Sequence, residues 1–490
     1  MGIKNLFSET ILIKSFNRQL LADMDTPVSS YFKLNGQSES FLLESMEGDG
    51  RNGRYSIIGL KPMLQFKRFK NHTLIIDTNS RQEKKLFGNP FDHLKSLLYS
   101  FSFDRSEPFE CGMLCGYLSY DSIRYIEKIP TNSADDLDLP QMHLILPSEV
   151  VVFDNYTNIL KLVIHLEDNG NPEKLEKLAN DRLDLMVKNL SNQAPSLKNI
   201  KGTNSVSEVS LKANISDEDY YKSVKRAKEY IRNGDIFQVV LSRRLQTEIS
   251  CDPYDLYRML HLVNPSPYMY YLNFDETKIV GSSPETLVKY DGDRVYVRPI
   301  AGTRKRGKSI EEDQEIAKEL LQDEKELAEH VMLVDLGRND VGRIARYGSV
   351  RLDTLKKVEN YSHVMHIVST VSGELREEFD AVDIFKACFP AGTVSGAPKV
   401  RAMEIIDELE KTQRGPYAGA IGYFDFSGRT DTCITIRTIV VKNKTAYWQA
   451  GGGIVADSNP KFEFKETENK ARALLKAISL AEEVCDDFSD

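Results

Sequence analysis

The sequence predicts an α+β fold built on large, mainly antiparallel β-sheets, and three observations carry that expectation. The runs SIIGL, LQFKRF, HTLIID, HLILPSEVVVFD and ILKLVIHL, in the first third of the chain, are apolar and strand-length. The stretch NPEKLEKLANDRLDLMVKNL after them reads as a helix. Beyond it, helix and strand patterns alternate to the C-terminus, with no internal repeat of fixed period.

Each later element has a local reason. A polar Asn/Ser/Lys-rich stretch, residues 188–214, has the composition of a linker. It divides the chain into a β-rich part (1–190), a linker (191–214) and a C-terminal part (215–490). Ser216 can cap a helix with Asp219 three residues on, and Gly234 closes that helix. IFQVVLSRRLQTEI then reads as a buried strand, and KIVGSSPE, VYVRPIAGT and AYWQAGGGIV continue the alternation.

Composition narrows the function classes. At 490 residues, 41% apolar and 28% charged, the chain is long enough for a large core and ordinary for a soluble globular protein. A net charge of −9 argues against a nucleic-acid partner. No apolar run approaches membrane-spanning length, so the expectation is a soluble, cytoplasmic chain without membrane contact. The opening MGIKNLFSETILIKSF lacks the apolar core and cleavage site of a secretory signal. Six scattered cysteines without zinc-type spacing read as reduced structural thiols.

The chemistry concentrates in two acid pairs. Glu326 and Glu329 lie in KELAEHVMLVDLGRND; Glu463 and Glu466 lie in KFEFKETENKARALLKAI, with Lys470 further along. Spacings of three, and of seven to the lysine, put these groups on one helix face. Four carboxylates converging from two helices repel unless a hard cation such as Mg²⁺ sits between them, and the lysine suits an anionic substrate. The apolar VMLVDL after Glu329 predicts that this helix is largely buried. Solvated glutamates at such spacing are common, so the pairs gain force from their surroundings. Three glycine-containing segments supply these. PIAGTRKRG ends a strand in a small-residue turn. PAGTVSGAPKVRAMEII reads as a flexible loop opening a helix, with backbone N–H groups free to face an anion. QAGGGIVADS lets a ligand approach Gly451, Gly452 and Gly453 closely. No phosphate-loop or dinucleotide glycine pattern is present.

With IFQVVLSRR, NPSPYMYYL, YSHVMHIVSTVSGEL, GPYAGAIGYF and CITIRT added, residues 217–483 resemble the chorismate-utilising enzymes. The N-terminal part extends the resemblance to the large subunits of anthranilate synthases. The resemblance implies a sandwich of large β-sheets with outer helices, drawing strands from both halves of the sequence. It implies Glu329 and Glu466 as principal Mg²⁺ ligands, with Glu326 and Glu463 beside or behind them. Gly302, Thr303, Tyr417, Arg437, Gly451, Gly452, Gly453 and Lys470 match substrate-binding positions, and Arg437 is apt as a bidentate carboxylate clamp. His366, Gln238 and Thr393 fall at catalytic positions. From its own VMHIV surroundings alone, His366 reads first as a satisfied core histidine.

Two positions separate members of this family. Those that use water carry a lysine where Gln238 stands, and glutamine cannot deprotonate water. Aminodeoxychorismate synthases typically read P-I-K-G-T where this chain has Ala301. The implied reaction is addition of ammonia to chorismate at C2 with loss of the C4 hydroxyl, then loss of pyruvate to give anthranilate. His366 is the candidate for proton transfer. No Cys-His-Glu glutaminase unit is recognisable, so a partner glutamine amidotransferase subunit is implied. The alternatives are an aminodeoxychorismate synthase aminase subunit and a non-catalytic tryptophan-binding scaffold. The resemblance also implies a feedback site: Glu44 and Ser45 in FLLESMEGDGRNGRYSIIG, with Pro267, Tyr268 and Met269 in NPSPYM, match a tryptophan pocket in which tryptophan acts as inhibitor.

Overall fold

The computed structural model describes residues 10–34, 36, 39–46, 52–193, 210–361 and 364–486. Residues 1–9 of the opening segment, 47–51 of the feedback segment and 194–209 of the polar stretch lie outside the described residues.

Two long strands, Asn52–Arg68 and Met142–Asp154, organise the fold. They pair antiparallel along their lengths, with a register shift between Pro62 and Leu64 and Lys61 at φ 47°. On either side of that irregularity each strand has a different second neighbour. The first half of Asn52–Arg68 pairs with Ser40–Met46 and its second half with Thr73–Asp77. Met142–Asp154 pairs with Met113–Leu118 at one end and Ile159–Glu167 at the other. The bulge thus bends one continuous sheet into two leaves. SIIGL and LQFKRF, separate in the sequence reading, are the two halves of this bent strand.

Both leaves recruit strands from both parts of the chain. In the first, Ser40–Met46 leads through Tyr268–Phe274, Thr277–Ser283, Thr438–Lys442 and Thr445–Ile454 to Gln238–Glu248. In the second, Met113–Leu118 leads through Ala420–Asp425, Thr430–Ile434, Thr286–Tyr290 and Arg294–Val297 to Val364–Glu374. Phe41, Ile57, Tyr117, Val150, Tyr270 and Ile421 share the core between the leaves. A second apolar layer packs Pro172–Leu190, Pro253–Val263 and Pro460–Asp486 outside the first leaf; a third packs Pro90–Tyr99, Glu324–Gly342 and Ala381–Cys388 outside the second. The sandwich with outer helices is therefore as expected. With both faces covered, inner strands lose polar alternation, and every residue of Met113–Leu118 is buried.

Local signals held where they were strongest. Pro172–Leu190 buries Leu175, Ala179, Leu183, Met186 and Leu190 at helical spacing behind an Asn171 cap. Ser216 accepts from the Asp219 N–H at 3.2 Å to start Asp217–Arg232, and Gly234 (φ 83°) follows its end. Three expectations are corrected. VYVRPIAGT forms two strands, Arg294–Val297 and Ile300–Lys305, parted at Pro299, which has no N–H to donate. PAGTVSGAPK is not a loop: the short helix Gly392–Ser395 buries Val394 and Ser395, and Gly396–Ala397 pairs with the start of Gln238–Glu248. Helix Glu324–Gly342 is half-buried rather than largely buried, because the second leaf covers only one of its faces; Val331 on its other side is 41% exposed. No helix among the described residues is long and apolar enough to cross a membrane.

Candidate active site and an inter-leaf cavity

The two acid pairs meet at the end of the first leaf. Glu326 lies in the first turn of Glu324–Gly342 and Glu463 in the first turn of Pro460–Asp486, where helix N-termini favour negative charge. Gln238, at the head of its strand, donates from Nε2 to Glu329 Oε1 at 3.3 Å. Burial pushes the Glu329 carboxyl up; Gln238 lowers it, and the neighbouring carboxylates of Glu326 and Glu466 raise it further. Glu463 is likewise raised by burial, then by Glu466. Its Oε2 is buried with no hydrogen-bond partner. Lys470 binds Glu466 at 2.7 Å and donates to the Gly451 carbonyl at 2.9 Å.

The acids do not form a closed cage. Arg304 holds Glu326 at 3.2 Å, and among the described residues no group of three or more His, Cys, Asp or Glu side chains is gathered at metal-binding spacing. What remains is a set of three carboxylates, Glu329, Glu463 and Glu466, facing Lys470, with Lys325 also acting on Glu463, and carrying one orphaned carboxylate oxygen. That donor set fits a hard divalent cation.

The glycines are where a side chain cannot be. A Cβ at Gly453 would stand 2.3 Å from Gln238 Nε2, one at Gly451 2.8 Å from the Tyr417 hydroxyl, and one at Gly452 3.2 Å from Glu463 Oε2. Gly302 (φ 67°) is the extra residue of a bulge, which brings Thr303 into register with His366. His366 Nδ1 lies 2.8 Å from the Gly302 carbonyl and 3.1 Å from Thr303 Oγ1. A carbonyl only accepts, so Nδ1 carries the proton and Nε2 is left with its lone pair. Burial, then Arg437, lowers the imidazole's affinity for a second proton. His366 is half-buried, unlike the fully buried His330, which is bound to Ser369 at 2.6 Å. Arg437 takes φ 51°, and burial lowers its pKa; no acceptor binds its guanidinium among the described residues. A half-buried guanidinium without an acceptor is a ready carboxylate clamp.

One residue escaped the sequence reading. Glu285, at the end of KIVGSSPE, is buried, and burial lifts its carboxyl to about 8 against the lowering effects of Thr393 and Lys470. Burial therefore favours its protonated form. The only signal was an acid set between apolar strands.

A separate cavity of about 790 Å³ opens between the leaves. Ser45, Pro267 and Tyr268 line it with Tyr55, Phe109 and Tyr423. The Tyr268 hydroxyl lies 2.9 Å from both Thr286 Oγ1 and Asp431 Oδ1. Glu44 and Met269 border the cavity as well, with their side chains following strand alternation toward the helix layer, where the Tyr257 hydroxyl donates to Glu44.

Comparison with known proteins agrees with this geometry. Residues 39–476 match the model of the chorismate binding enzyme family. The chain is 48% identical to anthranilate synthase component 1 of Acetivibrio thermocellus, covering 97% of this chain and 98% of that one. It is 45% identical to the same component of Aquifex aeolicus, covering 97% of each. Among solved structures, anthranilate synthase component I of Streptococcus pneumoniae superposes with a TM-score of 0.77 at 37% identity, covering 94% of this chain and 99% of that one. The menaquinone-specific isochorismate synthase of Escherichia coli shares the fold (TM-score 0.73, 18% identity, covering 96% and 95%).

Proposed function

This chain belongs to the chorismate binding enzyme family, and from that premise we propose that it converts chorismate and ammonia to anthranilate, pyruvate and water, the aminase step that begins tryptophan biosynthesis. Gln238 is the observation that carries the choice of nucleophile. Its Nε2 is engaged by Glu329, while its Oε1 is buried with no partner. An amide oxygen cannot remove a proton from water at neutral pH, but it can accept an N–H from ammonia and aim the nitrogen lone pair at the ring. Ala301, next to Gly302 in the strand Ile300–Lys305, presents only a methyl group where a lysine would compete as nucleophile.

The side chains divide the remaining work. Arg437 clamps one substrate carboxylate, and Lys470 adds charge beside the acids. Glu285, uncharged below about 8, hands its proton to the C4 hydroxyl as the C4–O bond breaks and nitrogen bonds to C2. His366 then takes the C2 proton on Nε2 as the C3–O bond breaks, giving an aromatic ring and the enolate of pyruvate, which takes up a proton to become pyruvate. Thr393 lines the same small pocket as Glu285. Glu329 and Glu466, with Glu463 and Glu326 beside them, would hold Mg²⁺, which when bound supplies positive charge for a substrate carboxylate and offsets their mutual repulsion.

Ammonia comes from glutamine through a partner amidotransferase subunit. Burial pushes the thiols of Cys111, Cys115, Cys388 and Cys433 up, leaving none of them poised as a glutaminase nucleophile. The inter-leaf cavity takes tryptophan as inhibitor, with Ser45 as a hydrogen-bonding group and Pro267 and Tyr268 as walls.

The test is a product assay on the purified chain with chorismate, Mg²⁺ and ammonium. Equimolar anthranilate and pyruvate are expected, with no turnover when glutamine replaces ammonium in the partner's absence. Aminodeoxychorismate without pyruvate would overturn the reading.

A further inference from the structure

The inter-leaf cavity and the His366 strand share a side chain. Tyr361 lines the cavity, and its ring meets the His366 ring edge-on, 5.3 Å between centroids at 68°. Tyr361 is held from three sides. Its N–H donates to the Val364 carbonyl at 2.8 Å, its own carbonyl accepts from Arg306 Nη1 at 2.8 Å, and its hydroxyl reaches Glu359 Oε2 at 3.5 Å. Glu359 in turn accepts two bonds from Arg298 Nη2, at 3.1 and 2.9 Å, and both residues also line the cavity. Arg298 stands just before Pro299 and the strand Ile300–Lys305, which presents Gly302 and Thr303 to His366.

His366 is therefore anchored along one ring edge by Gly302 and Thr303, while Tyr361 packs against the ring. An occupant of the cavity that displaces the Tyr361 ring must tilt the imidazole or open a void beside it. Packed interiors answer such a push by moving to a second discrete arrangement rather than by continuous deformation.

We infer that Tyr361 is a positioning residue that couples occupancy of the inter-leaf cavity to the orientation of His366. The inference rests on the reading that tryptophan fills this cavity and that His366 moves the C2 proton. Linkage makes any effect on substrate binding reciprocal: whatever tryptophan does to chorismate affinity, chorismate does to tryptophan affinity.

The experiment compares the full-length wild-type chain with Tyr361→Leu and Tyr361→Phe. Tryptophan affinity is measured calorimetrically, and kcat/KM for chorismate is measured with Mg²⁺ and ammonium, with and without saturating tryptophan. In the wild type, saturating tryptophan should lower kcat/KM by about fivefold or more. In Tyr361→Leu tryptophan should still bind, while its effect on kcat/KM falls below about twofold. Basal kcat should drop in this variant with little change in KM. Tyr361→Phe keeps the ring and should restore both the coupling and kcat. Tyr361→Met, whose unbranched chain reaches further along the space of the ring, takes the place of Tyr361→Leu if the latter does not fold. Full inhibition of Tyr361→Leu by bound tryptophan would overturn the inference. Loss of tryptophan binding in that variant would also overturn it, by making Tyr361 a wall of the pocket only. A wild-type chain that binds no tryptophan would instead overturn the regulatory reading beneath it.

Discussion

The acid-lined end of the first leaf and the cavity between the leaves satisfy their polar groups in opposite ways. At the acid-lined end, among the described residues, Arg437 has no acceptor, Glu463 Oε2 and Gln238 Oε1 are buried without partners, and burial favours the protonated form of Glu285. In the cavity, Tyr268 bonds Thr286 and Asp431, Lys289 pairs with Asp431 at 3.1 Å, and Arg298 pairs with Glu359. Unmet polar capacity costs stability and is kept where a charged, reacting molecule will meet it. A cavity whose polar groups are already paired is suited to an apolar occupant that shifts a balance without undergoing chemistry. The first region is built to be completed and the second to be filled.

The contrast can be broken most severely at the acids. Glu329→Gln or Glu466→Gln should cut Mg²⁺-dependent turnover by roughly 10³-fold while the circular dichroism spectrum stays native; near-normal turnover would remove the metal assignment. Glu285→Gln keeps the shape and loses the proton, so kcat should fall by about 10²-fold or more. The same residue sets a pH signature. Because its acid form is the working one, wild-type kcat at fixed free ammonia should fall as pH rises through about 8. A flat profile there, with activity retained in the glutamine variant, would place the acid elsewhere.

Arg437→Lys retains the charge but loses the planar fork. KM for chorismate should rise about tenfold, with a smaller change in kcat, checked by steady-state kinetics. The smallest effect belongs to the cavity. Ser45→Ala should leave turnover unchanged and weaken tryptophan inhibition by roughly 2- to 10-fold, the worth of one hydrogen bond. Equal inhibition in both proteins would mean that Ser45 serves only the strand.

What was legible in the sequence was local. The helix Asp217–Arg232, with its Ser216 cap and Gly234 stop, is specified within a few residues of itself. The acid spacing of Glu326, Glu329, Glu463 and Glu466 survives translation into structure because helix geometry is fixed. The bend at Pro62 was not legible, since the register shift exists only in the pairing of Asn52–Arg68 with Met142–Asp154. Glu285 was missed for a related reason: its raised affinity for a proton comes from burial that the surrounding fold supplies. The cavity residues teach the converse. Glu44 and Ser45 are neighbours on one strand, as are Tyr268 and Met269, and the period of two sends one of each pair to the helices. That division could have been read from the sequence alone.

The most direct test of the central claim is to follow ¹⁵N-ammonium through turnover of chorismate by the purified chain with Mg²⁺, using mass spectrometry and ¹⁵N NMR. The account predicts one ¹⁵N per product molecule, bonded in anthranilate to the ring carbon that was C2 of chorismate, with one pyruvate released for each. Label at the former C4, or an oxygenated product without label, would contradict the assignment of Gln238 and Ala301 as the residues that select ammonia and direct it to C2.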